Sequence, residues 1–294
     1  MSEKRSVILN SYKFYELAEK PSPAELQEYY SKKYYQENKG SYEVSYREED
    51  LSYFKNKNEQ KLWVIEELRK TKDPGSILDI GCGEGFTLQY FLSKGWKISG
   101  VDYSDFGCKK FNPACLPFLK VGDIYEELRS LTTHEEKFNV VWLDNVLEHV
   151  LDPLHLLKET KKLLKPGGIL VIEVPNDFSL LQKHLLEKGH INSEFWVVVP
   201  DHISYFNSQG LTNIADEAGL KTVFTMADHP IDFNLLNPDT NYNRDKSKGK
   251  NVHRSRVELE NVIHSISVPG AVKYYQSLAA LGMGRQIISF LQPK

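Results

Sequence analysis

The chain has 294 residues, 40% hydrophobic and 26% charged, with a formal net charge of -3. That length buries a substantial core without staples, and the balance lacks the basic footprint of a nucleic-acid binder. Three cysteines without CxxC spacing, Cys82, Cys108 and Cys115, indicate neither a disulfide framework nor a zinc knuckle and fit a reducing cytoplasm.

In chain order, residues 1–15 mix charges and aromatics with no apolar h-region, and no later run approaches a membrane span, so a cytoplasmic protein with no membrane partner is expected. Residues 1–70 are expected to form a helical cap. Ser22, Pro23 and Glu25 read as N-cap, first and third positions of a helix. The aromatics Tyr29, Tyr30, Tyr34, Tyr35, Tyr42, Tyr46, Tyr53 and Phe54 either pack this cap on the core or line a substrate mouth.

From residue 71 short apolar runs alternate with helical stretches, the pattern of an α/β fold with a mostly parallel sheet and helices on both faces. Strands are expected at 76–80, 97–101, 118–121, 139–143 and 169–174, with helices at 86–93 and 153–164, the second stopped by Lys165-Pro166-Gly167-Gly168. An insertion at about 176–207 precedes a helix at 208–218 and a strand at 220–226. A second insertion, 227–284, holds a polar stretch at 237–250 expected to be mobile and helices at 257–263 and 270–281, before a last strand at 285–292. Insertions of this length are where acceptor specificity is expected.

The first strand runs into Asp79-Ile80-Gly81-Cys82-Gly83-Glu84-Gly85 and then a helix. Glycines there let the backbone turn tightly and approach a ligand. The G-x-G-x-G spacing differs from the G-x-G-x-x-G of dinucleotide folds, which disfavours an NAD-dependent oxidoreductase. Asp79 is placed to organise a cationic tail, Asp102 at the next strand end to accept both ribose hydroxyls, and Tyr103 to face the adenine. After the third strand, Asp123 can accept from the adenine amino group while Ile124 packs on the ring. Taken singly, each acid reads equally as a helix cap.

In this order on successive strands, these residues resemble the class I, Rossmann-like, seven-stranded S-adenosylmethionine-dependent methyltransferases. The first motif matches Asp79–Gly85, including Gly81, Cys82, Gly83 and Gly85, and the ribose and adenine acids match Asp102 and Asp123. The fourth motif matches 138–150, with Asn145 beside the cofactor, and the turn Leu164-Lys165-Pro166-Gly167-Gly168 follows. The resemblance implies S-adenosylmethionine as cofactor, S-adenosylhomocysteine as product, and a last strand inserted antiparallel.

For the chemistry, Glu148 and His149 follow the fourth strand, where ligands bind in open α/β sheets. The pair is similar to the metal-binding stretch of quinone-biosynthesis O-methyltransferases, but Asn145 stands where those carry a further acid, which counts against a metal. His202, in an H-x-x-x-F stretch, has the right intrinsic pKa for a general base, and Tyr205 beside it would contact the acceptor. A structural role for each is the alternative. Residues 235–256 and 281–285 resemble methyltransferases of surface-polysaccharide biosynthesis, implying that His253, Arg254 and Arg256 grip an anionic group of the acceptor. The expected function is O-methylation of a sugar, nucleotide sugar or other surface-glycan precursor. The alternative is a catalytically silent cofactor-binding module. A small-molecule acceptor is the expected partner, and a homodimer stays open.

Overall fold

The protein is described by a computed structural model covering residues 6–26, 28–29 and 45–294. The cap aromatics Tyr30, Tyr34, Tyr35 and Tyr42 lie outside the described residues. A seven-stranded sheet runs in the order β5-β4-β3-β6-β7-β10-β9, built from β3 (Ser76–Ile80), β4 (Lys97–Asp102), β5 (Leu119–Val121), β6 (Phe138–Asp144), β7 (Leu164–Pro175), β9 (Leu220–Ala227) and β10 (Gln286–Pro293). β10 is antiparallel to both neighbours, and the paired strands β3 to β7 are parallel. The α/β class, the seven strands and their antiparallel insertion are as expected from the sequence.

Alternation along each strand sends Ile77 and Leu78 to opposite faces, and each face is covered by its own apolar layer, as a parallel sheet requires. Helices Ile124–Thr133, Pro153–Lys162 and Ser208–Glu217 contribute to one layer. Helices Glu48–Arg69, Phe86–Ser93 and Val268–Ala280 contribute to the other. β7 starts earlier than expected because Leu164 pairs with Phe138 before Ile169 pairs with Val140, so Lys165–Gly168 bulge out between them.

The all-helical cap is corrected. The N-terminal segment begins as a hairpin of β1 (Val7–Leu9) and β2 (Tyr15–Leu17), and β2 pairs with β8 (Ser204–Tyr205) from the first insertion. Asn10 accepts the Tyr12 amide through its side chain and Lys13 adopts φ +72°, local turn chemistry that a helical reading of this aromatic stretch overlooks. The capping box does form: Ser22 N–H donates to Glu25 Oε2 at 2.7 Å and Glu25 N–H to Ser22 Oγ at 3.2 Å, with residues 23–26 helical. Leu62, Val64 and Ile65 share one core with Ile77 and Trp142, so a boundary at residue 70 passes through continuous packing.

The first insertion contains helix Leu180–Glu187 and, with the N-terminal hairpin, builds a separate apolar cluster of Leu17, Phe178, Leu185, Trp196, Tyr205 and Leu235. The second is folded throughout. Asn241, expected in a mobile stretch, is 1% exposed and its Nδ2 donates to the carbonyls of His190 and Leu235. Helix Gly249–Ile266 extends well before the expected 257. No helix among the described residues is long and apolar enough to cross a membrane.

Candidate functional site

The carboxyl ends of β3, β4, β6 and β7 meet at one edge, and the glycine turn lies over it. Gly81 has φ +72°, and a Cβ there would stand 2.5 Å from Val146 Cγ2, so only glycine fits. Gly83 also has positive φ but opens onto empty space, leaving room for a ligand against its backbone. Gly85 N-caps helix Phe86–Ser93, and the buried Cys82 packs its sulfur toward Gly100.

Asp102 ties this turn to the second strand, accepting from Gly83 N–H at 2.8 Å and Ser104 N–H at 3.0 Å. Burial raises its pKa while those backbone donors oppose the rise. Asp79 is 3% exposed, and no hydrogen bond reaches its carboxylate among the described residues. Burial, reinforced by Asp144 and Asp102, pushes it well above the usual carboxylate range. A buried carboxylate without a donor is what an incoming ammonium group would satisfy. Tyr103 is 42% exposed and its hydroxyl donates to Asp123 Oδ2 at 3.0 Å, fixing the ring at the mouth of the site. Asp123 also caps helix Ile124–Thr133 through Glu126 N–H, so the capping alternative holds alongside the ligand one. Ile124, expected to pack on the adenine ring, is 6% exposed and packs with the core beside Asp123.

Asn145 adopts φ +52°, donates its Nδ2 to Asp144 Oδ1 at 2.8 Å and its N–H to the Glu173 carbonyl at 2.9 Å. Above it Lys61, from helix Glu48–Arg69, contacts Glu173 closely and Asp144 Oδ2 at 3.4 Å, over the Trp142 ring. The sequence reading missed Lys61 and Glu173. The signal for Lys61 was a lysine four residues after Lys57 and four before Ile65, a polar interruption on a buried helix face.

The structure brings Glu148, His149 and His202 together across 54 positions of chain. Ile203 N–H donates to the Glu148 carbonyl at 2.9 Å, and one ligating atom from each of the three side chains lies within 4.8 Å of the other two. Glu148 is 1% exposed, and neither carboxylate oxygen accepts a hydrogen bond among the described residues. Burial pushes it well above the carboxylate range. His149 Nδ1 lies 2.6 Å from the Asp201 carbonyl, and the two imidazoles pack edge to face at 4.9 Å. Expectation against a metal rested on Asn145; the fold instead adds His202 to a carboxylate and an imidazole, a donor set divalent cations accept.

The acceptor-gripping residues fall differently. Tyr205 is 0% exposed and its hydroxyl donates to the His202 carbonyl at 2.9 Å, so it holds the loop from within the core and does not face an acceptor. Arg256 is committed internally: Nε donates to Glu260 Oε1 at 2.8 Å and Nη2 to Asp228 Oδ2 at 3.2 Å, with Tyr53 beside it. Buried carboxylates hold the guanidinium more tightly than a solvated acceptor anion could, which removes Arg256 as an anion clamp. His253 and Arg254 are exposed on the same helix, His253 within 3.9 Å of Asp50. Arg285 donates its N–H to Asp228, the partner of Arg256, and its Nη1 to the buried Asp177 Oδ1 at 2.8 Å, a pair the sequence did not indicate.

The cap aromatics Tyr46 and Phe54 form one ring cluster with Phe86 and Phe111, and the Tyr46 hydroxyl donates to Glu84 Oε2 at 2.7 Å in the glycine turn. These two cap rings therefore pack.

Residues 52–224 match the family described as a methyltransferase domain. Among curated relatives, the chain is 26% identical over 148 residues to a ubiquinone biosynthesis O-methyltransferase of Coxiella burnetii, covering 49% of this chain and 63% of that protein. It is 30% identical over 162 residues to the ubiquinone biosynthesis O-methyltransferase of Colwellia psychrerythraea, covering 50% and 61%. The matched region thus spans less than two thirds of these relatives. The 1,6-didemethyltoxoflavin-N1-methyltransferase of Burkholderia thailandensis, solved with S-adenosylhomocysteine, is 12% identical with a TM-score of 0.50, covering 100% of this chain and 97% of that one, a likeness of fold.

Proposed function

The chain belongs to the methyltransferase-domain family, and from that premise we propose that it transfers a methyl group from S-adenosylmethionine to an oxygen of a small-molecule acceptor, releasing S-adenosylhomocysteine. The observation that carries this reading is Asp79, a buried carboxylate without a donor, beside the open Gly83 and the backbone-anchored Asp102. In this reading Asp79 takes the cofactor's ammonium, Asp102 its ribose diol, Tyr103 and Asp123 its adenine, and Asn145 borders the methionyl chain.

When bound, the cofactor's sulfonium would supply an already activated methyl group, with a thioether as the leaving group. What the protein adds is alignment, exclusion of water and a base. His202 accepts the acceptor hydroxyl proton as the oxygen–carbon bond forms. Glu148 lies within 4.8 Å of both imidazoles, and His149, held by the Asp201 carbonyl, packs edge to face against the base.

For the acceptor we favour a sugar, nucleotide sugar or other surface-glycan precursor, supported by the sequence resemblance of the C-terminal region. His253 and Arg254 are its remaining candidate contacts. The names of the relatives raise a ubiquinone precursor as the competitor. The test is mass-spectrometric detection of acceptor-dependent methylation across sugar nucleotides and hydroxylated quinone precursors. Cofactor binding with no product from any acceptor would select the catalytically silent module. A second reading follows from the grouping of Glu148, His149 and His202: a divalent cation held there would orient the acceptor oxygen. Loss of turnover on chelation, restored by added zinc or magnesium, would select it over the metal-free base.

A further inference from the structure

We propose that Lys61 is a positioning residue for the amino-acid end of the cofactor site, holding the β6 and β7 strand ends in the shape that receives the methionyl group. The inference rests on the cofactor reading above and adds a residue from a helix outside the sheet. Asp144 and Glu173 are register partners on adjacent parallel strands, so their carboxylates stand side by side. Two carboxylates at that spacing repel unless a cation lies between them. Lys61 is that cation: its side chain is 4% exposed, in contact with Glu173 and 3.4 Å from Asp144 Oδ2. The ammonium also lies 4.9 Å from the Trp142 ring centre, which leaves it little freedom to turn away.

The consequence passes to the ligand through Asn145. The second Asp144 oxygen accepts from Asn145 Nδ2, and the Asn145 N–H donates to the Glu173 carbonyl. The Asp144 carboxylate held by Lys61, together with the Glu173 backbone, therefore holds the one residue of this turn in the left-handed region, at φ +52°. Asp79 faces the same charges, since its register partner across β3 and β6 is Trp142. The ribose end is built separately, from Asp102, Gly83 and Ser104, none of which touches Lys61.

That separation supplies the test. Calorimetry would compare S-adenosylhomocysteine with 5′-methylthioadenosine, which shares the nucleoside and thioether but lacks the amino-acid end. Lys61→Met should weaken S-adenosylhomocysteine about tenfold or more, the scale of one charged hydrogen bond, and leave 5′-methylthioadenosine unchanged, while Lys61→Arg restores most of the loss. Asp144→Asn, at a partly exposed site, gives the same split by a milder route should Lys61→Met not fold. Equal loss for both ligands, or no loss for either, overturns the proposal. Failure of the wild-type protein to bind either ligand overturns the cofactor reading beneath it, a distinct result.

Discussion

The two edges of the seven-stranded sheet carry charge in opposite ways. At the carboxyl edge Asp79, Asp102, Glu148, Glu173, Asp177 and Asp228 are all under 9% exposed, and Lys61, Arg256 and Arg285 are folded in among them. At the amino edge Lys97, Lys120, Lys137, Lys161, Lys162 and Lys165 line open depressions of about 550 and 500 Å³. There Lys162 meets Glu159 at 2.7 Å and Lys120 meets Glu136 at 3.8 Å, ordinary surface pairs. The proposed site lies at the carboxyl edge, where burying carboxylates is costly and a ligand can complete them.

Mutations can sharpen or break this contrast. Asp102→Ala should reduce cofactor affinity by about 10²–10⁴-fold, since two charged hydrogen bonds to a diol are lost, in a protein that still folds but melts at a lower temperature because the Gly83 and Ser104 N–H groups lose their acceptor; unaltered calorimetric affinity refutes the ribose assignment. His202→Asn should lower kcat by about 10²–10⁴-fold while cofactor affinity holds, and unimpaired turnover would place the base elsewhere. Arg256→Met leaves Glu260 with Lys57 and Tyr275 and Asp228 with the Arg285 and Gln286 N–H groups, and breaking this buried pair should lower unfolding free energy by about 3 kcal/mol in urea titrations. A variant of full stability would show Arg256 to be available for an acceptor after all.

A smaller effect is expected from pH. Burial alone would raise Glu260, but Lys57 and Arg256 outweigh it and hold the carboxyl at about 2. A folded pKa below the unfolded 4.5 stabilises the protein fully above 4.5 and loses that contribution as pH falls toward 2. Melting temperature should drop over that window, and Glu260→Gln should flatten the drop; an unchanged slope would break the assignment. Least affected is the amino edge, where Lys97→Ala should stay within about 0.5 kcal/mol of wild type.

Legibility in the sequence followed the range of each interaction. Strand assignments from β3 onward rested on alternation, which acts over a few residues, and the structure matches them closely, whereas helices Ile124–Thr133 and Leu180–Glu187 were not foreseen and Gly249–Ile266 is longer than expected. The N-terminal hairpin was illegible because β2 is completed by Ser204 and Tyr205, far along the chain. Phe178, bulky yet at φ +54°, gives no local warning, since its conformation is held by packing against Tyr15 and Trp196. Arg256 and Arg254 look alike as cations in a polar stretch, and only the tertiary fold buries one of them against Asp228.

What the sequence by itself determined is the glycine turn, the acids at successive strand ends and the α/β order, because backbone sterics and periodicity are local properties. Tertiary structure alone decided that His202 joins Glu148 and His149, that Tyr205 turns inward, and that Lys61 reaches across 83 residues to Asp144. Charge and hydrogen-bond energies change over a few ångströms, a scale that spacing along a chain does not encode.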